Sequence, residues 1–310
     1  MHAASFLPCS LNCDHNNLNS YNKQKKMMSN TKIGWIGLGK MGVPMSRQLI
    51  KSGFSITVFN RSKDKKKDLK ESGAEIASTP AELIGLTDLI IIMVSDDKAI
   101  HAVFNGDQGL LSAGTSGKII INMSTVSPAI SKEMAALCKS QGNNYLDAPV
   151  SGSVKQAEEG QLVIMAGGED EIFETAKPIL EKLGKLALRV GDTGAGNTAK
   201  LAVNTLLAFH AQGLAEAICF ANKNGIATED LMTIINNSAL GNVFGKIKGE
   251  AIIHDNYQAA FALKHIAKDL RLAKAEGLDT PLAETVYKTF QEAETVFGEE
   301  DIIAVIKQIK

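Results

Sequence analysis

The sequence predicts an α/β fold, a doubly wound and mostly parallel sheet, followed by an all-α C-terminal domain joined to it by a long helix. Three observations lead there. Residues 32–62 read as strand, glycine-rich turn, helix and strand. From Lys63 to Val190 short apolar runs alternate with helical stretches, the pattern of a parallel sheet covered by helices on both faces. After Gly191 only helical patterns remain, and Gly196 to Asn222 runs without proline, apolar around most of its circumference, which predicts one helix buried nearly all round, the spine joining the two domains.

The first strand ends at Ile36, and Gly37, Gly39 and Gly42 follow at the spacing G-x-G-x-x-G. A stripe of Met45, Leu49 and Ile50 marks a helix, and Ile56 to Phe59 is the next strand. A dinucleotide fingerprint needs this context in a Rossmann-type unit. Gly37 allows the tight turn, Gly39 lets the backbone approach a pyrophosphate, and Gly42 lets the helix pack against the strand. The turn Gly37-Leu38-Gly39-Lys40-Met41-Gly42 is therefore the expected cofactor contact, with the helix's unpaired N–H groups facing phosphate.

NAD-selective sites place a carboxylate at the end of the second strand, on the ribose 2′-hydroxyl. Here Asn60 stands there, followed by Arg61, Ser62 and Lys63. A carboxylate repels a 2′-phosphate, whereas a guanidinium can fork two donors onto it. These residues therefore predict NADPH rather than NADH, although a solvated surface turn has the same composition.

Further along, strands are expected at Glu75–Ala77, Leu89–Val94, Lys118–Asn122, Tyr145–Leu146, Leu162–Ala166 and Ala187–Val190. Helices are expected at Lys63–Glu71, Pro80–Leu86, Lys98–Phe104, Pro128–Ser140 and Glu171–Leu183. Thr79-Pro80-Ala81-Glu82 has the form of a capping box with proline in the first helical position. Ligands of such a sheet gather at the strands' carboxyl ends, here Ser95–Asp97 with Val94 before it, Ser124 and Thr125, and Pro149 to Ser153. Beyond the spine, helices are expected at Glu229–Asn237, Val243–His254, Leu263–Glu276, Leu282–Phe297 and Ile302–Ile309.

With 310 residues, 45% of them apolar, the chain can bury a large core in two domains, 31–192 for the dinucleotide and 193–310 all helical. Residues 1–30, Asn-rich with a basic cluster at Lys23–Lys26, read as a disordered extension upstream of a start at Met27 or Met28. They have neither the form of a secretory signal nor that of a transit peptide. A net charge of −1 gives no electrostatic case for nucleic-acid or membrane partners, and no apolar run approaches the ~20 residues of a membrane span. Cys9, Cys13, Cys138 and Cys219 are scattered, which suits a reducing cytoplasm and no metal site.

Lys200 and Asn204, four apart, share a face of the spine among Leu201, Ala202, Val203, Leu206 and Leu207. A lysine there needs a partner or a task unless it snorkels to solvent. Ser151-Gly152-Ser153 follows a strand, and its N–H groups and hydroxyls could form an anion-binding concavity for a substrate carboxylate; a plain Ser/Gly loop reads the same. Lys264 and Lys268 share a helical face, which by spacing alone is a cationic surface stripe. His210 and His265 have no evident partner in the sequence and read as structural.

Four segments together resemble the β-hydroxyacid dehydrogenase family across nearly all of residues 32–310: the Gly37–Gly42 turn, Asp147 to Gly168, Gly194 to Asn204, and Phe261 to Leu272. Within it, Ser151-Gly152-Ser153, the Lys200–Asn204 motif and Leu263 to Asp269 are most similar to the glyoxylate and succinic semialdehyde reductases, which use NADPH and carry Asn-Arg-Ser/Thr after the second strand, as Asn60-Arg61-Ser62 does here. The 3-hydroxyisobutyrate dehydrogenases more often carry Asp at position 60 and a second asparagine where Val203 stands. The resemblance implies that Lys200 is catalytic, that Ser151, Gly152 and Asn204 hold substrate with Phe261 in the pocket, and that Lys268 lies beside the cofactor. It also implies that Ser124 and Thr125 approach the nicotinamide. A lysine of ordinary pKa, about 10.4, would stay protonated and favour reduction. Lys200 weighs against a silent dinucleotide-binding scaffold and against the imine reductases, which typically replace this lysine. The apolar spine and the all-helical part imply, by fold analogy, a homodimer or homotetramer.

Overall fold

The computed structural model describes residues 31–62 and 67–309. The expected extension over 1–30, Lys63, and the start of the expected Lys63–Glu71 helix lie outside the described residues.

β1 (Lys32–Ile36) leads through the glycine turn into α1 (Gly42–Lys51) and β2 (Ser55–Phe59). The alternation continues with α2 (Lys67–Glu71), β3 (Glu75–Ile76), α3 (Pro80–Leu86), β4 (Leu89–Ile92), α4 (Asp97–Asn105), β5 (Ile119–Asn122), α5 (Pro128–Ser140) and β6 (Asn144–Asp147). Cap chemistry fixes two of the helix starts. Thr79 Oγ1 accepts the Glu82 N–H at 3.0 Å, and the Glu82 carboxylate accepts the Ser78 N–H at 2.7 Å, ahead of Pro80. Ser127 Oγ accepts the Ile130 N–H at 3.1 Å, ahead of Pro128.

Strands β1 to β6 pair in parallel in the order β3-β2-β1-β4-β5-β6. The order reverses between β1 and β4, and a crevice forms at the carboxyl ends of strands at such a switch point. Side chains alternate across the sheet. Ile33, Trp35, Val58, Ile91, Ile121 and Leu146 enter one buried cluster, and Ile36, Ile90, Ile92, Ile120 and Tyr145 another on the opposite face.

The sheet then departs from the sequence reading. β7 (Val150–Ser151) and α6 (Val154–Glu158) stand where a loop was expected, and β8 (Leu162–Gly167) runs antiparallel to both β6 and β7. α7 (Asp170–Leu183) returns the chain to β9 (Gly184–Gly191), parallel to β8. Apolar alternation marks a strand but not its direction, and two residues of β7 are too few to show a period.

α8 (Ala195–Lys223) has 29 residues and so runs roughly 43 Å at 1.5 Å per residue. α9 (Thr228–Asn236), α10 (Val243–Ile253), α11 (Leu263–Ala275) and α12 (Pro281–Phe297) follow, then a 3₁₀ turn (Ile302–Val305) and α13 (Ile306–Ile309). Their core joins Ala208, Ala211, Ala215 and Ile218 of α8 to Leu263, Ile266, Leu270, Val286 and Phe290. The expectation that α8 is buried nearly all round is corrected: Val203 is 44% exposed, Leu206 54% and Phe220 72%. Apolar residues encircle this helix, but the chain's own elements cover one side of it.

The start of α8 meets the sheet backbone to backbone. A Cβ on Gly196 would stand 2.5 Å from the carbonyl oxygens of both Asp147 and Met165, main-chain atoms of β6 and β8. Gly196→Ala is expected to destabilise the protein by about 1–3 kcal/mol, the usual cost of overpacking, read as a lower midpoint in chemical denaturation. A midpoint equal to wild type would mean that the contact does not exist in solution.

Candidate active site

The glycine turn is built as its residues require. Gly37 has φ +98°, and a Cβ there would lie 2.1 Å from the Met93 carbonyl oxygen; at Gly42 it would lie 2.0 Å from the Gly37 oxygen. A Cβ at Gly39 would meet nothing within 4 Å. The position assigned to close approach is thus the one that faces open space. Lys40 is exposed and α1 has no side-chain cap at Met41; the Val43 N–H donates to the Gly39 oxygen at 3.2 Å and Pro44 has no N–H, so the expected row of free helix N–H groups is narrowed to those of Met41 and Gly42. These residues fit a dinucleotide pyrophosphate.

Asn60 joins this turn to the end of β2. Its Oδ1 accepts the Leu38 N–H at 3.0 Å and its Nδ2 donates to the Ser62 oxygen at 3.0 Å, while Arg61 and Ser62 are exposed. At the ends of β4 and β5, the Val94 N–H donates to Ser124 Oγ at 2.9 Å, and the Ser124 N–H donates to Asn122 Oδ1 at 3.0 Å.

Lys268 is not part of a surface stripe. From α11 its Nζ reaches across to the sheet and donates to the carbonyl oxygens of Thr125 at 2.5 Å and Ser95 at 3.3 Å. Lys264, the other expected member, donates instead to Glu299 at 2.6 Å. Asp269, which the sequence reading passed over, is buried beside Lys268. Its Oδ2 accepts Asn204 Nδ2 at 2.5 Å, and its Oδ1 stands 3.1 Å from Lys268 Nζ, a pairing of charges rather than an aligned hydrogen bond.

Lys200 completes the group, 8% exposed on α8. Burial pushes its pKa down to about 8; Asp269 opposes that shift and Lys268 adds to it. The expected ordinary lysine pKa is therefore corrected, because an ammonium loses solvation here and has only one carboxylate to compensate. Lys200, Asn204, Lys268, Asp269, Ser95 and Thr125 are thus drawn together from α8, α11 and two strand ends.

The Ser151–Ser153 turn has contacts of its own. Ser151 pairs with Val163 in β8, and Gly152 adopts φ +148° with Leu162 filling the space where a Cβ would go. The Ser153 N–H donates to Gln156 Oε1 at 2.6 Å. The expected concavity of successive N–H groups is corrected in that one of them is already engaged at the head of α6. Phe261 is half-buried, stacks on His265 with ring centroids 6.0 Å apart, and donates its N–H to Asp301 Oδ2 at 3.3 Å. His210 lies 6.4 Å from the Phe244 ring, so each of these histidines has an aromatic neighbour the sequence did not reveal.

Fold and site together define a nicotinamide-dependent oxidoreductase. The family described as the NAD binding domain of 6-phosphogluconate dehydrogenase matches residues 32–194, and that of the NADP-dependent 3-hydroxyisobutyrate dehydrogenase matches 194–309. The chain is 36% identical over 283 residues to glyoxylate/succinic semialdehyde reductase 1 of Arabidopsis thaliana, covering 90% of this chain and 98% of that one. It is 35% identical over 265 residues to the mitochondrial 3-hydroxyisobutyrate dehydrogenase of Mus musculus, 83% of this chain and 78% of the other. A solved 3-hydroxyisobutyrate dehydrogenase from Mycobacterium tuberculosis superposes with a TM-score of 0.82 at 28% identity, covering 90% of this chain and 99% of that one. The chain belongs to the β-hydroxyacid dehydrogenase family, oxidoreductases that act on CH–OH groups of small molecules. Among the described residues, no helix is long and apolar enough to cross a membrane.

Proposed function

We propose that this protein is an NADPH-dependent reductase of small carboxylated aldehydes, glyoxylate and succinic semialdehyde being the first candidates, with Lys200 as the proton donor. The observation that carries the reading is a buried lysine, its pKa lowered to about 8, within electrostatic reach of the Asp269 carboxylate and of Lys268, which is itself tied to the strand ends. NADPH, when bound, supplies the hydride. The Gly37–Gly42 turn and α1 hold its pyrophosphate, Arg61 with Asn60 and Ser62 hold the 2′-phosphate side, and Val94, Ser95, Ser124, Thr125 and Lys268 border the nicotinamide.

The substrate carboxylate rests on Ser151, Gly152 and Ser153, with Phe261 closing the pocket. As negative charge grows on the carbonyl oxygen, Lys200 stabilises it and delivers its proton there. With its pKa lowered to about 8, Lys200 is mainly protonated at pH 7. Reduction thus has its acid in place, and the lowered pKa also brings the base that the reverse reaction needs nearer to neutral pH. Asn204, held by Asp269, orients the lysine and the substrate.

The names of the relatives support both this reading and a second, oxidation of 3-hydroxyisobutyrate, since both kinds of relative stand near 35% identity. Steady-state assays with glyoxylate, succinic semialdehyde and methylmalonate semialdehyde, each with NADPH and NADH, separate them. The expected result is the highest kcat/KM for glyoxylate or succinic semialdehyde with NADPH. A preference for methylmalonate semialdehyde with NADH would select the second reading.

A further inference from the structure

We propose that Asn197, anchored by Asp147, is a positioning residue that sets the orientation of Lys200 relative to the Ser124–Val126 loop. The inference rests on the reading of Lys200 as proton donor. Asn197 is wholly buried in the first turn of α8. Its backbone N–H donates to Asp147 Oδ2 at 2.8 Å, its Oδ1 accepts the Val126 N–H at 3.0 Å, and its Nδ2 donates to Ser131 Oγ at 3.1 Å. Asp147 Oδ1 meanwhile accepts the Gly194 N–H at 2.7 Å. One carboxylate from the end of β6 thus caps the start of α8 at two points, a task that no side chain of α8's own N-cap residue performs.

The geometry links two parts of the site that otherwise share no covalent neighbour. Lys200 lies three residues after Asn197 and so on the adjoining turn of the same face. Val126 directly follows Thr125, whose carbonyl receives Lys268, and Lys268 is one of the two charged groups, with Asp269, that act on Lys200. A single amide therefore ties the helix carrying the lysine to the loop that holds its neighbouring cation. An amide suits the place because it accepts from a main-chain N–H and donates to a hydroxyl at once. An apolar replacement leaves the buried Val126 N–H and Ser131 Oγ without that partner.

The test uses Asn197→Ala, the milder Ser131→Ala, and Lys200→Ala as reference. One readout is free of turnover: the pH dependence of Lys200 labelling by an amine-reactive reagent, followed by peptide mass spectrometry on the protein without cofactor. The others are kcat and KM for glyoxylate and the NADPH Kd. Asn197→Ala is expected to shift the labelling midpoint and to lower kcat roughly ten- to a hundredfold, the scale of a small misplacement of a reacting group, with NADPH Kd within about twofold. Should Asn197→Ala not fold, Ser131→Ala is expected to show the same two changes at smaller amplitude. Loss of turnover in Lys200→Ala, together with wild-type kcat and labelling midpoint in the folded Asn197 or Ser131 variant, overturns the positioning role alone. Full turnover in Lys200→Ala overturns the reading beneath it.

Discussion

Lys200→Ala is expected to reduce aldehydes roughly 10²–10⁴ times more slowly than the wild type. The side chain removed is a buried ammonium one helical turn from Asn204 and within electrostatic reach of Asp269 and Lys268. NADPH should still bind, because the substitution leaves the glycine turn and Arg61 unchanged. The measurement is single-turnover hydride transfer at saturating substrate, beside a fluorescence titration of NADPH. Wild-type transfer in this variant would remove Lys200 from the chemistry.

The direction of the pH dependence follows from the same side chain. Proton donation needs the protonated form, which is fully present well below a pKa of about 8 and lost above it. Reduction should therefore be flat at low pH and fall as pH rises through about 8. Asp269→Asn removes the charge that holds the Lys200 pKa up against burial and Lys268, so its limb should move to lower pH. Lys200→Arg keeps a cation but a guanidinium gives up no proton in this range. Turnover should fall and the limb should vanish.

What the sequence made legible was written in adjacent residues. The glycine turn, the prolines opening α3 and α5, and the unbroken α8 are local patterns, and Pro128–Ser140 was readable to the residue. What stayed hidden depends on pairing across the chain. Asp269 gains its meaning from Asn204, 65 residues away, and Lys268 from Thr125, 143 residues away. No period in α11 announces either partner, so by spacing alone the lysine read as part of a surface stripe, and only the resemblance set it beside the cofactor. The same holds for β8, whose antiparallel pairing with β6 and β7 joins residues the sequence does not mark as partners, and for α8, where composition could not say which side its own chain would cover.

Asn60→Asp is expected to move coenzyme preference toward NADH by roughly ten- to a hundredfold, the equivalent of one hydrogen bond to a charged group at about 1.5–3 kcal/mol. An aspartate can still accept the Leu38 N–H, so the join between the glycine turn and β2 survives. It cannot donate to the Ser62 oxygen, and its second oxygen faces that carbonyl instead. The exposed Arg61 then sits on a looser turn, beside a negative charge that repels a 2′-phosphate and accepts from a 2′-hydroxyl. The ratio of kcat/KM with NADPH to that with NADH reads the change. Asn60→Ala separates the two causes, because it breaks both amide contacts without adding charge. If alanine and aspartate lose NADPH equally and neither gains NADH, turn geometry alone sets the preference. If the ratio stays at the wild-type value in the aspartate variant, the end of β2 does not choose the coenzyme. A gain in NADH confined to aspartate makes charge at position 60 the discriminator, with the amide of Asn60 serving to hold Arg61 in reach.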